Sequence, residues 1–241
     1  MSDAVSTTRS GQVRDLVRCA HPKQAVFLTV VLGVLAAIDG RPQREVLMTA
    51  AAVLAVQLSL GLSNDLSDQR HDYRAQTLGK PIASGALPAT RASYWMFVLV
   101  LLAVPLSMYS GTAAGLALVA TLPIGWLHNR WLHRTAFSWV GWTLSAALLP
   151  AFLAYGGWGK GVHGDPPTWA VTGAAAAVGF CLHFVTGLGD LVDDNKSGAR
   201  NLPLRLALRI GAPRVLVLTI LLTTAAVAGL AVASLTLGLR Q

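Results

Sequence analysis

The chain has 241 residues, of which 54% are hydrophobic and only 12% charged, with a mean hydropathy of +0.54. Soluble domains carry about 25% charged residues, so this composition excludes a soluble enzyme and points to an integral membrane protein. The net charge of +8 does not mark a nucleic-acid binder, because the Lys and Arg residues are spread over loops between apolar runs. Anionic lipid headgroups and an anionic substrate account for them better.

In chain order, the first 22 residues are polar and basic, and the apolar run after them has no small-residue cleavage site. They are expected to be a cytoplasmic tail ahead of a first membrane anchor. Residues 23–241 are expected to form a single all-α transmembrane domain. Seven apolar stretches approach the roughly 20 residues a bilayer core demands, near 24–39, 45–64, 91–109, 112–128, 136–155, 168–189 and 212–238. Turn residues separate them: Asp39-Gly40-Arg41-Pro42, Ser110-Gly111, Gly156 through Pro167, and Gly211-Ala212-Pro213. Cys19 precedes the first run and Cys181 lies inside a late one, a placement that argues against a disulfide.

Orientation follows from the basic residues. With the N-terminus in the cytoplasm, Arg9, Arg14, Arg18, Lys23, Arg70, Arg74, Lys80, Arg91, Arg130, Arg134, Lys196, Arg200, Arg205, Arg209 and Arg214 fall inside. Only Arg41, Arg44, Lys160 and Arg240 fall outside, a strong positive-inside bias. Trp95, Trp126, Trp131, Trp139 and Trp142 then gather near cytoplasmic helix ends, as an interfacial belt would. The second and sixth segments both end on that face.

Each of those two ends carries acid. Six of the 11 acidic residues lie in two clusters, Asp65, Asp68, Asp72 and Asp190, Asp193, Asp194. If the first stretch is helical, Asn64, Asp68 and Asp72 follow at i, i+4 and i+8, with Asp65 on the same broad face. Asp190 and Asp194 are likewise one turn apart, with Asp193 beside them. Like charges so close repel, and a hard divalent cation shared with a phosphate relieves the repulsion. Gln57 and His183 each lie seven residues before their motif, two turns deeper on its face. Polar groups inside apolar segments are candidate functional groups. They are expected on the floor of a cavity, Gln57 orienting an acceptor oxygen and His183 removing a proton.

Asn64-Asp65-x-x-Asp68-x-x-x-Asp72 followed by Lys80-Pro81-Ile82-Ala83-Ser84-Gly85 resembles the first signature of the UbiA superfamily of intramembrane prenyltransferases. Asp190-x-x-x-Asp194-x-Lys196-x-Gly198 followed by Asn201-Leu202-Pro203 resembles its second. The resemblance runs from Arg18 to about Arg209. It implies a helical bundle around a central cavity open to the cytoplasmic side, in which the two motifs hold Mg²⁺ and the diphosphate of an isoprenoid donor. The prenyl group then passes to an aromatic or lipidic acceptor. Family members usually have nine membrane helices; the seven counted here imply a shorter wall or one completed by a second copy, a homo-oligomer. His133-Arg134 stands where the family often has a Lys-Arg pair.

Allylic ionisation calls for such residues independently: it creates a carbocation and a highly charged leaving group. Asn64, Asp68, Asp72, Asp190 and Asp194 are the expected ligands, with Asp65 and Asp193 as second choices. Lys80, Arg134, Lys196 and Arg200 are the expected diphosphate cations. A terpene cyclase of the same superfamily would share these motifs and need no acceptor. A non-enzymatic transporter would need a polar path to the outer face, which the third, fourth and seventh segments hardly offer.

Overall fold

The computed structural model describes residues 9–75, 77–157 and 164–239. Residues 1–8 of the expected tail, together with Lys160 and Arg240 of the expected outside set, lie outside the described residues. The described chain is helical and contains no β-strand. It divides into two compact units, Met1–Pro105 and Leu106–Gln241.

The first unit begins with α1 (Arg9–Cys19) and α2 (Pro22–Ile38), bent by 60° at their junction. Pro22 opens α2 at the position where its missing N–H costs nothing. A proline also disfavours right-handed helix in the residue before it, and His21 takes the left-handed conformation, φ 50° and ψ 56°. Helix α3 (Gln43–Ala75) packs back along α2 and has 33 residues. That is about 50 Å of helix, against a hydrocarbon core of about 30 Å. The last turns of α3, which carry Asn64 to Asp72, therefore extend beyond an apolar span that starts near Val46. The loop after α3 folds onto its base, where Ile82 and Leu87 join Cys19, Ala20, Leu62 and Ala92 in one core. Gly61 makes this possible: a Cβ there would run into the Ala20 carbonyl. Helix α4 (Ala89–Met108) follows.

In the second unit, α5 (Thr112–Val119) and α6 (Thr121–Leu127) lead into a π-helical turn at His128–Leu132. Helix α8 (Trp169–Gly189) packs between α7 (Val140–Ala154) and α11 (Ala212–Leu237). Gly179 brings α8 against the Trp142 carbonyl and Ala146 of α7. Two short helices, α9 (Leu191–Lys196) and α10 (Leu202–Ile210), lie between α8 and α11.

Each of the seven expected stretches is thus helical. Among the described residues, α3, α4, α8 and α11 are long and apolar enough to cross a membrane, and the bent α1–α2 pair makes a fifth candidate. Three boundaries differ from expectation. The fourth stretch is divided at Ala120; the fifth begins at Val140 rather than 136; and α3 runs eleven residues past 64. The late start of α7 follows from turns at 133–139, where Thr135 Oγ1 donates to the Leu132 carbonyl and Ser138 N to the Thr135 carbonyl.

Replacing Gly61 with Val is expected to lower stability by about 1–3 kcal/mol, the usual range for overpacking. Thermal melting in detergent measures this. Gly173→Ala, where nothing lies within 4 Å of the added methyl, serves as a neutral control.

Candidate functional site

The site residues of the first unit stand on the last three turns of α3 and on the loop behind it. Helical continuity through Ala75 puts Asn64, Asp65, Asp68 and Asp72 on one broad face, but their environments differ. Asp65 is only 4% exposed and is clamped from two sides. Lys80 Nζ donates to its Oδ1 at 2.7 Å, and His21 Nε2 lies 2.9 Å from the same oxygen. Asp72, also buried, has its Oδ2 3.7 Å from Lys80 Nζ. Asn64 and Asp68 are half-buried.

Burial alone would lower the pKa of Lys80, but the neighbouring Asp65 carboxylate and its hydrogen bond, with Asp72 and Asp68 behind it, hold it above the ordinary lysine value. Lys80 therefore keeps its charge across the physiological range. It opens onto a cleft of about 670 Å³ whose lining includes Asp15, Arg18, Asp72, Arg74, Lys80 and Ser84. Arg18 and Arg74 looked like topology markers in sequence. Their membership of this cleft follows from the packing of α1 beside the loop, where the Arg18 guanidinium lies against Gly79.

In the second unit, Asp190 closes α8 and opens α9. Asp190 itself breaks the helix, at φ −103° and ψ 3°, and Asp194 N donates to its carbonyl at 2.8 Å as the first bond of α9, so the two acids stay one turn apart. Asp193 is exposed and lies 3.9 Å from Lys196, a solvated pair of little energetic weight. Asn201 Nδ2 donates to Asp194 Oδ2 at 2.5 Å. Arg200 is tied to Arg134 by backbone, its N–H donating to the Arg134 carbonyl at 2.8 Å, while Arg134 Nε donates to His133 Nε2 at 3.0 Å. Arg134 and Arg200 thus sit together, whereas Lys196 is exposed one turn after Asp193.

His183 is 6% exposed, and its Nε2 is 2.9 Å from Ser138 Oγ. Its ring centroid lies 6.3 Å from those of His128 and Trp142. It thus bonds α8 to the turn before α7 in an aromatic setting. Gln57 is half-buried, two turns before Asn64 on α3. Ser138 and the amide of Asn201 had no sequence signal for this arrangement, although Asn-Leu-Pro before an apolar run does read as a helix start.

Among the described residues, no group of three or more His, Cys, Asp or Glu lies close enough to hold a metal ion by itself. The acids that α3 and α9 present are hard oxygen donors. That set suits Mg²⁺, which takes one or two carboxylates and completes its shell with water and phosphate oxygens.

Several apolar helices of crossing length define a multi-pass membrane protein, in which α3 carries acids and a paired lysine at its end. The chain belongs to the UbiA prenyltransferase family, whose family model matches residues 26–240. It is accordingly a prenyl-transferring enzyme. It is 27% identical over 204 residues to digeranylgeranylglyceryl phosphate synthase of Pyrococcus abyssi (strain GE5 / Orsay), covering 83% of this chain and 72% of that one. Its fold is similar to that of a UbiA homolog from Archaeoglobus fulgidus bound to GPP and Mg²⁺, with a TM-score of 0.72 at 16% identity over 92% of this chain and 78% of the other. The same homolog bound to DMAPP and Mg²⁺ gives a TM-score of 0.70 at 18% identity, with the same coverage of both chains.

The Asp65 clamp makes a prediction. Asp65→Leu strands the Lys80 charge and is expected to cost about 3 kcal/mol, the lower end for a broken buried pair. Adding Lys80→Met should restore much of the melting temperature without restoring prenyl transfer, because the cation beside Asp72 is gone. Recovery of activity together with stability would show that Lys80 serves the fold alone.

Proposed function

We propose that this protein is a Mg²⁺-dependent prenyltransferase of the cell membrane, with seven crossings and a cytoplasmic N-terminus. It ionises an allylic isoprenoid diphosphate and passes the prenyl group to an acceptor. The observation that carries this reading is the end of α3. There the Asp72 carboxylate and the Lys80 ammonium, 3.7 Å apart, line one cleft at the close of an apolar helix. The family match over residues 26–240 supports it. The positive-inside bias supports the orientation.

Mg²⁺, when bound, supplies the charge that lets diphosphate depart. Asn64, Asp68 and Asp72 would hold it from the first motif, and Asp190 and Asp194 from the second. Asp65 holds Lys80 in place instead, and Asp193 stays at the rim with Lys196. Lys80 donates to diphosphate oxygens, and its fixed charge develops no reorganisation cost as the leaving group forms. Arg134 and Arg200 form the corresponding cationic pair of the second unit. Apolar helix surfaces shield the allylic cation from water, and Gln57 orients the acceptor oxygen. The diphosphates bound by the A. fulgidus homolog support an isoprenoid diphosphate donor, and the product named for the P. abyssi enzyme supports a lipidic acceptor.

The test is incubation of the purified protein with Mg²⁺ and prenyl diphosphates of several lengths, with and without phenolic, quinonoid or prenylated glyceryl phosphate acceptors. Consumption that depends on an acceptor and stops with EDTA is expected. Asp68→Asn and Asp72→Asn should each lower turnover by at least about a hundredfold, the scale of losing one preorganised electrostatic contact. Cyclic hydrocarbons formed without acceptor would replace transfer by cyclisation. No consumption with any donor or acceptor would overturn the reading.

A further inference from the structure

Asn201 is held in an unusual position for a helix cap. It is 6% exposed, and its Oδ1 accepts from Leu204 N at 2.9 Å, which caps α10. An N-cap uses only the acceptor end of the amide. The donor end, Nδ2, is directed at Asp194 Oδ2. Ser and Asp cap helices about as well as Asn, but only Asn carries a separate N–H group to spend on a second partner.

The cap is itself seated. Leu202 N, the next open donor of α10, donates to Ser138 Oγ at 3.1 Å. Ser138 is fully buried and pairs through the same oxygen with His183 Nε2. The Ser138 oxygen thus serves both Leu202 N–H and the His183 ring nitrogen. A chain of hydrogen bonds therefore runs from α8 (His183), through the turn before α7 (Ser138), to the start of α10 (Leu202, Asn201) and on to α9 (Asp194). Gly187 of α8 packs against Pro203 at the same place.

We propose that Asn201, seated by the buried Ser138–His183 pair, is a positioning residue that orients the Asp194 carboxylate toward its cation. The proposal rests on the assignment of Asp194 as a ligand made above. An amide suits this task because it orients the carboxylate and brings no counter-charge of its own. His183 then belongs to the support of the second motif, acting through Ser138.

The test uses the full-length protein in detergent with a non-ionisable S-thiolo analogue of a prenyl diphosphate. The rise in melting temperature is followed as Mg²⁺ is added, which gives a basal stability and a Mg²⁺ midpoint in one experiment. Asn201→Ser keeps the cap but is too short to reach Asp194 while capping. Its basal melting temperature is expected to stay above that of Asn201→Ala, because the cap is kept. Its Mg²⁺ midpoint should rise about tenfold, as for a lost hydrogen bond to a charged group. Asn201→Ala should show the same midpoint shift with a lower basal melting temperature, and Ser138→Ala a smaller shift of about threefold. A wild-type midpoint in Asn201→Ser overturns the proposal. So does a shift accompanied by the same basal loss as Asn201→Ala, since capping alone would then be the cause. Asp194→Asn separates the two levels: if it leaves the midpoint unchanged, the ligand assignment itself fails and the positioning role with it.

Discussion

A carboxylate that is 4% exposed at the end of an apolar helix must be paired or neutralised, and Asp65 is paired twice. Leaving such a charge alone would cost several kcal/mol. Its partners come from both directions along the chain: His21 from the bend between α1 and α2, and Lys80 from the loop behind α3. One buried oxygen thus fastens three segments that the apolar core of Cys19, Ala20, Leu62, Ile82 and Leu87 brings together. The left-handed backbone of His21, a conformation costing about 1–2 kcal/mol outside glycine, is held by this bond. The same clamp aims Lys80 at Asp72 and keeps it charged. Two acids seven residues apart on one helix therefore do different work.

The second unit restrains its acid by other means. Asp194 is gripped by an amide, Asp65 by an ammonium and an imidazole. A cationic partner cancels the carboxylate's charge and makes it a poor ligand for a further cation. A neutral partner restricts its rotamers and leaves its charge intact. The contrast sorts aspartates that share one composition and one helical period by the kind of partner that holds each.

That sorting is where the sequence stopped being legible. The helical architecture could be read from hydropathy, and the shared face of Asn64, Asp65, Asp68 and Asp72 from a period of 3.6, because both are local properties. Asp65 could not be told from Asp68 and Asp72 in this way. What separates them is His21, 44 residues upstream, and Lys80, 15 downstream. Asn201 is similar: its capping end follows from the Asn-Leu-Pro pattern, but the aim of its other end depends on how α9 returns beside α10. The depth of His183 was evident from its spacing to Asp190, whereas its bond to Ser138 depends on the turns that delay α7 until Val140. The break at Ala120 is announced by Pro123, which has no N–H to give the Val119 carbonyl one turn back.

The length of α3 links these local devices to the family's chemistry. A prenyl diphosphate is itself divided, with a hydrocarbon tail that prefers lipid and a headgroup that does not. An ordinary membrane helix ends where the bilayer ends, so its polar groups disperse into loops and lose their mutual geometry. Helix α3 continues without a break from its apolar stretch through Asn64, Asp68 and Asp72 to Ala75. The backbone bonds that satisfy the helix in lipid also fix the spacing of the acids beyond it. Two or three extra turns are enough to convert a membrane span into a rigid holder for charged groups, provided something keeps those turns from fraying. The Asp65 clamp stands at the first of these turns, and the loop from Lys80 to Leu87, with Ile82 and Leu87 buried, packs against the helix just before it. Helix α3 does not stop where its apolar stretch ends, and the buried, paired Asp65 fastens the turns beyond that point to the chain on either side.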